Sequence, residues 1–297
     1  VYIIINQLIE GMKKIILILS TILLATSCTK VDKEQFLFSS SRSGSSDIYL
    51  MDIETLKAKP LTNTAYEEWG PTWINENELS FLRQEDKEIK RYKLNLNTGE
   101  ESLLAHPEQC ILDDKNVLYA SQGSLQLYTC NGAIFLWDEK AETTINITKD
   151  LSGTSAYPSW SFDEKEIIFT SNQAGTNDIF KYDLLTQKSI QLTNSDSNNE
   201  RGELSPDAKY IVYSSNKFNP RNQDLLLQNL ETGTLENITN SEGNELISRW
   251  SANGKSIYFG INNDGNWELY IYNLQNKSTK RITDNTAFDG DPRVYKR

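Results

Sequence analysis

Apolar and polar residues alternate along this chain in short bursts, and the bursts repeat. Ile48-Tyr-Leu-Met-Asp52, Ile134-Phe-Leu-Trp-Asp138, Ile179-Phe-Lys-Tyr-Asp183, Leu225-Leu-Leu-Gln-Asn229 and Leu269-Tyr-Ile-Tyr-Asn273 share one pattern. β-Branched and aromatic residues at period two predict strands packed between two apolar layers. Each burst follows a more apolar strand and precedes a fourth that ends in Leu61-Thr62, Ile147-Thr148, Leu192-Thr193, Ile238-Thr239 or Ile282-Thr283. The clearest copy runs Pro158-Ser-Trp-Ser-Phe-Asp-Glu-Lys-Glu-Ile-Ile-Phe169, Asn177-Asp-Ile-Phe-Lys-Tyr-Asp183, Ile190-Gln-Leu-Thr193.

Aligned on the aromatic residue of the apolar strand, the copies fall at Phe38, Phe81, Tyr119, Phe169, Tyr213 and Phe259, with spacings of 43, 38, 50, 44 and 46. A period in this range with four short strands per repeat is the signature of a propeller blade. Six copies therefore predict an all-β fold, a six-bladed β-propeller of four-stranded antiparallel blades. Trp73, Cys110, Trp160, Leu204 and Trp250 mark the first strands, eight or nine residues before each aromatic. Turns rich in Asn, Asp and Gly, such as Asp163-Glu164 and Ala252-Asn-Gly254, close the hairpins that follow. In the second blade Glu101-Ser-Leu-Leu104 stands where the others have Leu-Thr, and a long loop is expected before Ala133. Gln35 to Ser40 reads as a second strand and Asp291-Pro-Arg-Val294 as a first strand, so the two ends should share a blade and close the ring.

The repeat Pro-x-Trp-Ser-x-Asp-x-Lys, Ile-x-Phe, Asp-Ile-Tyr-x-x-Asp, Leu-Thr resembles that of TolB-type propellers over residues 35–297. The resemblance implies a periplasmic partner protein of the Tol–Pal envelope system. The TolB N-terminal α/β domain has no room between Cys28 and the first strand. A similar repeat occurs in the propellers of prolyl-oligopeptidase-like peptidases, where a separate hydrolase domain carries the catalysis.

Met12-Lys-Lys-Ile-Ile-Leu-Ile-Leu-Ser-Thr-Ile-Leu-Leu-Ala-Thr-Ser-Cys28 has the two lysines, apolar run and small residues of a secretory signal. Leu24-Ala-Thr-Ser-Cys28 resembles a bacterial lipoprotein box, which implies lipidation of Cys28. The apolar run is shorter than the roughly 20 residues of a spanning helix. These features divide the chain into a signal peptide (1–27, with 1–11 a start-site artefact upstream of Met12), a lipidated N-terminus and short linker (28–34) and the propeller (35–297). Thr29, in place of Asp, favours transfer to the outer membrane, on its periplasmic or cell-surface face.

The net charge of -11 argues against nucleic acid as a partner, which requires clustered Lys and Arg. Mean hydropathy is -0.54, in keeping with many polar loops. With Cys28 assigned to lipid, Cys110 and Cys130 remain as a pair; one in a first strand and the other in a long loop lie too far apart to bridge unless the loop folds back, so a disulfide is open but not the favoured reading. The single histidine, His106, has no Gly-x-Ser-x-Gly elbow to accompany it, so triad chemistry finds no support. No cofactor and no metal ligand set emerges, since Asn262-Asn-Asp-Gly-Asn266 and Asp289-Gly-Asp291 lack calcium-loop spacing.

The loops between fourth and first strands share one face and carry Glu67, Glu68, Tyr157, Glu200, Arg201, Glu245, Asp289 and Asp291 toward the central opening. Trp69 joins them from outside the repeat register, beside carboxylates, where it could meet a sugar ring or a peptide. The reading is a monomeric, envelope-anchored lipoprotein that binds a protein or peptide partner at the channel mouth. The alternatives are a carbohydrate-active or other hydrolase using channel carboxylates, and a non-catalytic glycan or small-molecule binder.

Overall fold

A computed structural model of the chain describes residues 34–105, 107, 116–121, 123–263 and 265–296. Six four-stranded antiparallel sheets follow one another within Glu34–Arg297, and no helix occurs among the described residues. The first strands are Glu67–Asn75, Leu118–Tyr119, Ser155–Trp160, Asn199–Leu204 and Asn244–Trp250 for blades 2 to 6, with Asp289–Val294 serving blade 1. That last strand pairs with Gln35–Ser40, setting Val294 opposite Phe36 and Asp289 opposite Ser40. The ring is therefore closed by the C-terminal strand. Each blade leaves its first and fourth strands as edges, and among the short fourth strands Lys57–Pro60, Lys188–Gln191 and Ser278–Arg281 blunt theirs with charge or proline.

The repeated residues each have a structural task. Second-strand aromatics face third-strand aromatics within a blade: Phe81 and Tyr92 stack at 5.9 Å between centroids, Tyr128 and Phe135 at 5.4 Å, and Phe169 and Phe180 at 5.7 Å. The Thr of Leu-Thr accepts the backbone N–H at or next to the start of the third strand, as in Ile48 to Thr62 at 2.9 Å, Ile179 to Thr193 at 2.9 Å and Leu225 to Thr239 at 2.8 Å. The Asp or Asn ending each third strand folds the next turn: Asp138 Oδ1 accepts from the N–H groups of Lys140 and Ala141, and Asn229 Oδ1 from those of Glu231 and Thr232. The tryptophans join blade to blade. Trp250 Nε1 donates to the Glu203 carbonyl at 3.1 Å, Trp73 to Arg293 at 3.4 Å and Trp160 to Leu118 at 3.5 Å.

Blade 3 departs from the sequence alignment. Tyr119 lies on the first strand, in the register position of Trp160, and the second-strand aromatic is Tyr128, opposite Phe135. With Tyr128 in place the spacings become 43, 47, 41, 44 and 46. No long loop precedes Ala133; Asn131 and Gly132, at φ 50° and 74°, make a two-residue turn between Cys130 and Ala133. Both central residues there are left-handed, as a tight hairpin demands.

Cys130 is the last residue of the second strand, is buried, and is disulfide-bonded to a partner outside the described residues. Cys130 therefore sits at a strand end and not in the expected long loop, which removes the distance that disfavours a bridge. Trp69 is also in register: it pairs with Leu82 on a first strand, in the place held elsewhere by Ala156, Glu200, Leu246 and Gly290. The expected signal peptide, Cys28, His106 and Cys110 lie outside the described residues.

Candidate functional site

Five first strands share one irregularity. The register slips between Trp69 and Thr72, Ala156 and Ser159, Glu200 and Glu203, Leu246 and Arg249, and across the Leu37/Ser39 pairing with the last strand. At each slip one residue takes a left-handed backbone: Gly70 (φ 61°), Tyr157 (54°), Arg201 (59°), Ile247 (57°) and Asp291 (54°). A β-bulge turns a side chain out of the pleat. Here the five bulges turn their residues into a single cavity of about 250 Å³ on the propeller axis. Left-handed φ is a strained choice for a β-branched residue such as Ile247, and strain of this kind concentrates at binding sites.

The cavity wall combines Trp69, Tyr157 and Ile247 with Asn116, Arg201, Arg249, Arg293 and Asp291. The Arg201 guanidinium lies 3.8 Å from the Tyr157 ring centroid, a cation–π arrangement. Asp291 Oδ2 accepts from Ser39 Oγ at 3.0 Å and from the Gly70 N–H at 3.3 Å. A second, narrower cavity of about 80 Å³ shares Leu118, Ser159, Arg249 and Arg293 with the first and adds Glu164, Glu203 and Lys296. Glu203 is held there by Lys296 at 2.9 Å and Arg249 at 3.3 Å. Burial pushes the Arg249 guanidinium and the Lys296 ammonium below their ordinary ranges, with Glu203 working against it. Arg293 is pushed down to about 9 by burial and by the charge of Arg249.

The residues expected at the channel mouth thus divide. Trp69, Tyr157, Arg201 and Asp291 meet in the cavity. Glu67 is exposed at the rim, where its carboxylate accepts the Ser46 N–H at 2.9 Å, and Glu200 accepts from Asn177 Nδ2 at 2.6 Å. Glu68, Glu245 and Asp289 are fully buried and do not line the opening. Glu68 pairs with Arg83 and Asp289 with Arg42, at 2.7 Å in the second case. Arg249 and Arg293 were not singled out from the sequence. They occupy the position just before the aligned Trp250 and Val294, so the alignment itself pointed to them. The opening expected to be partly acidic carries three arginines against Asp291 in the wider cavity.

Residues 205–294 match the family of the dipeptidyl peptidase IV N-terminal region. The Tol-Pal system protein TolB of Francisella tularensis is 30% identical over 122 residues, covering 41% of this chain and 28% of that protein. A TolB homolog of Chlorobaculum tepidum is 25% identical over 117 residues, 39% of this chain and 26% of its own. The matches therefore span little more than a quarter of these relatives. Among solved structures, TolB from Acinetobacter baumannii superposes with a TM-score of 0.75 at 19% identity, covering 88% of this chain and 66% of that one. A putative TolB from Agrobacterium tumefaciens gives 0.67 at 16% identity, covering 88% and 99%. Sequence repeat, blade count, closed ring and superposition agree: this chain carries a TolB-like six-bladed β-propeller.

Proposed function

We propose that the protein is an exported lipoprotein, anchored to the outer membrane through Cys28, whose propeller binds a protein or peptide partner of the cell envelope at the channel mouth. Residues 1–27 act as the signal peptide and 28–34 as a short tether to the propeller. The carrying observation is the set of five bulged strands that gathers Trp69, Tyr157, Arg201 and Asp291 from different blades around one cavity. An aromatic and arginine cluster on a rigid ring is the composition of a binding hot spot. The TolB relatives, which the Francisella protein's name places in the Tol-Pal system, support an envelope role.

The geometry gives the hydrolase alternative less support. Glycosidase chemistry needs two carboxyl groups flanking one bond, and Glu68, Glu245 and Asp289 are buried away from the opening, leaving Asp291 as the carboxylate of the wider cavity.

Crosslinking in intact cells tests the proposal. A partner recovered with the wild type should be lost with a Trp69→Ala/Tyr157→Ala/Arg201→Ala variant and kept with Leu185→Ala, whose side chain is exposed on a blade turn. Recovery that is equal in all three overturns the channel-mouth assignment. Membrane fractionation of Cys28→Ala tests the anchor: release into the soluble fraction is expected, and retention contradicts lipidation at that residue.

A further inference from the structure

The channel is cationic in a chain of net charge -11. Arg201, Arg249 and Arg293 face one cavity against the single carboxylate of Asp291, whose Oδ2 accepts from Ser39 and Gly70 and whose charge supports those of Arg249 and Arg293. Among the described residues, the guanidinium groups of Arg201 and Arg293 have no salt bridge, and the Nε atoms of Arg201, Arg249 and Arg293 are buried without a hydrogen-bond partner. Arg249 is nine-tenths buried. Its NH1 is used by the Ser248 carbonyl at 2.7 Å and by Glu203.

Buried cations with idle donors are costly unless an anion completes them. Burial disfavours the charge of both Arg249 and Arg293, and the neighbouring cations work in the same direction, Arg201 on Arg249 and Arg249 on Arg293. The arrangement suits an incoming carboxylate, which accepts from guanidinium groups in forked pairs. A cavity of about 250 Å³ is below the usual range for drug-sized ligands, so it admits one side chain rather than a folded surface. Trp69 and Tyr157 beside the arginines supply apolar walls for the stem of such a side chain.

We propose that the channel is a receptor for one carboxylate-bearing side chain of an acidic peptide segment, gripped by Arg201, Arg249 and Arg293. This rests on the peptide-docking reading above and names the chemistry that docks.

The test is calorimetric titration of the purified propeller with a blocked Gly-Gly-Glu-Gly-Gly peptide and its Gln-matched twin, with inorganic phosphate and sulfate run separately. The Glu peptide should bind at least tenfold more tightly than the Gln peptide. That preference should fall at least tenfold in Arg201→Ala, recover in part in Arg201→Lys, and persist in Arg221→Ala, which alters an exposed arginine outside the cavity. Arg293→Gln should lose the preference too, provided its melting is unchanged. Equal binding of the two peptides overturns the proposal, as does a preference that survives Arg201→Ala and Arg293→Gln. Binding of phosphate or sulfate with no binding of the Glu peptide also overturns it, in favour of a free-anion pocket. A partner crosslinked at the mouth without charge preference defeats this inference alone. A Glu preference with no crosslinked partner defeats the docking reading alone.

Discussion

Glu245 offers a test of the inter-blade packing because its environment sets a clear sign. It is fully buried on the first strand of blade 6, beside Asp224 at the start of the third strand of blade 5. Glu245 Oε2 and Asp224 Oδ1 are both buried without a partner. Burial foremost, and then the Asp224 charge, push the Glu245 carboxyl up to about 7, although the Ser241 hydroxyl donates to it. The equivalent acids in other joints have cations, Arg83 for Glu68 and Arg42 for Asp289; Glu245 has none among the described residues. Between about pH 4.5 and 7 the folded state keeps a proton that the unfolded chain has released, so unfolding releases it and stability falls as pH rises. The cost is absent below the unfolded value and complete above 7, and reaches about 3 kcal/mol.

Glu245→Gln should remove that cost, because an amide can donate where the proton sat. The joint between blades 4 and 5 already uses this chemistry: Asn199 Nδ2 donates to Asp178 Oδ1 at 3.0 Å. Urea unfolding followed by tryptophan fluorescence at pH 5 and pH 8 reads the effect, and the difference between variant and wild type cancels the titrating groups that do not interact with Glu245, leaving Glu245 and the Asp224 coupled to it. A gain for the variant of about 1 kcal/mol or less at pH 5, rising to about 3 kcal/mol at pH 8, is expected. Parallel pH profiles for the two proteins would refute the reasoning.

Three further outcomes follow from the packing. Deletion of residues 288–297 removes the strand paired with Gln35–Ser40 and should abolish a monomeric folded product; unchanged cooperative melting and a monomeric elution volume would contradict ring closure. Trp250→Phe keeps most of the buried ring but leaves the Glu203 carbonyl without its 3.1 Å donor, and should cost about 1–3 kcal/mol in urea unfolding. Thr193→Val removes the acceptor for the Ile179 N–H and the donor to Asp178, at 2.9 and 2.7 Å, and should cost a similar amount, about 1–3 kcal/mol, with no such loss at the exposed Thr186.

Blades 1, 4, 5 and 6 are legible because their aromatic, Asp or Asn, and Leu-Thr positions keep a near-constant offset, and blade 2, which lacks Leu-Thr, through Trp73 and Phe81. Blade 3 was misplaced because Asn131 and Gly132 close its second hairpin in two residues, where blade 4 spends residues 172–177 on the same connection. Val117-Leu-Tyr119 has the same apolar, apolar, aromatic order as Ile167-Ile-Phe169, and it stands nine residues ahead of the true second-strand aromatic, Tyr128. The site was only half legible for a related reason. A bulge shifts side chains relative to the pleat, and nothing in Gly70, Tyr157, Arg201, Ile247 and Asp291 as residue types announces a shared left-handed backbone. Counting along the loops therefore found Tyr157, Arg201 and Asp291 but also collected Glu68, Glu245 and Asp289, which the adjoining pleat positions turn into the joints between blades. Arg249 and Arg293 are not legible from the loops because they lie within the first strands, one residue before Trp250 and Val294.

Partners read at the channel mouth must touch residues inside the cavity and not those on the outer blade turns. Site-specific photocrosslinking from position 157, inside the cavity, against position 185, exposed at 92% on a blade turn, tests it most directly. A discrete adduct is expected from position 157 that disappears when Arg201 is changed to Ala, and none from position 185. An adduct from position 185 alone, or one from position 157 that is indifferent to Arg201, would contradict it.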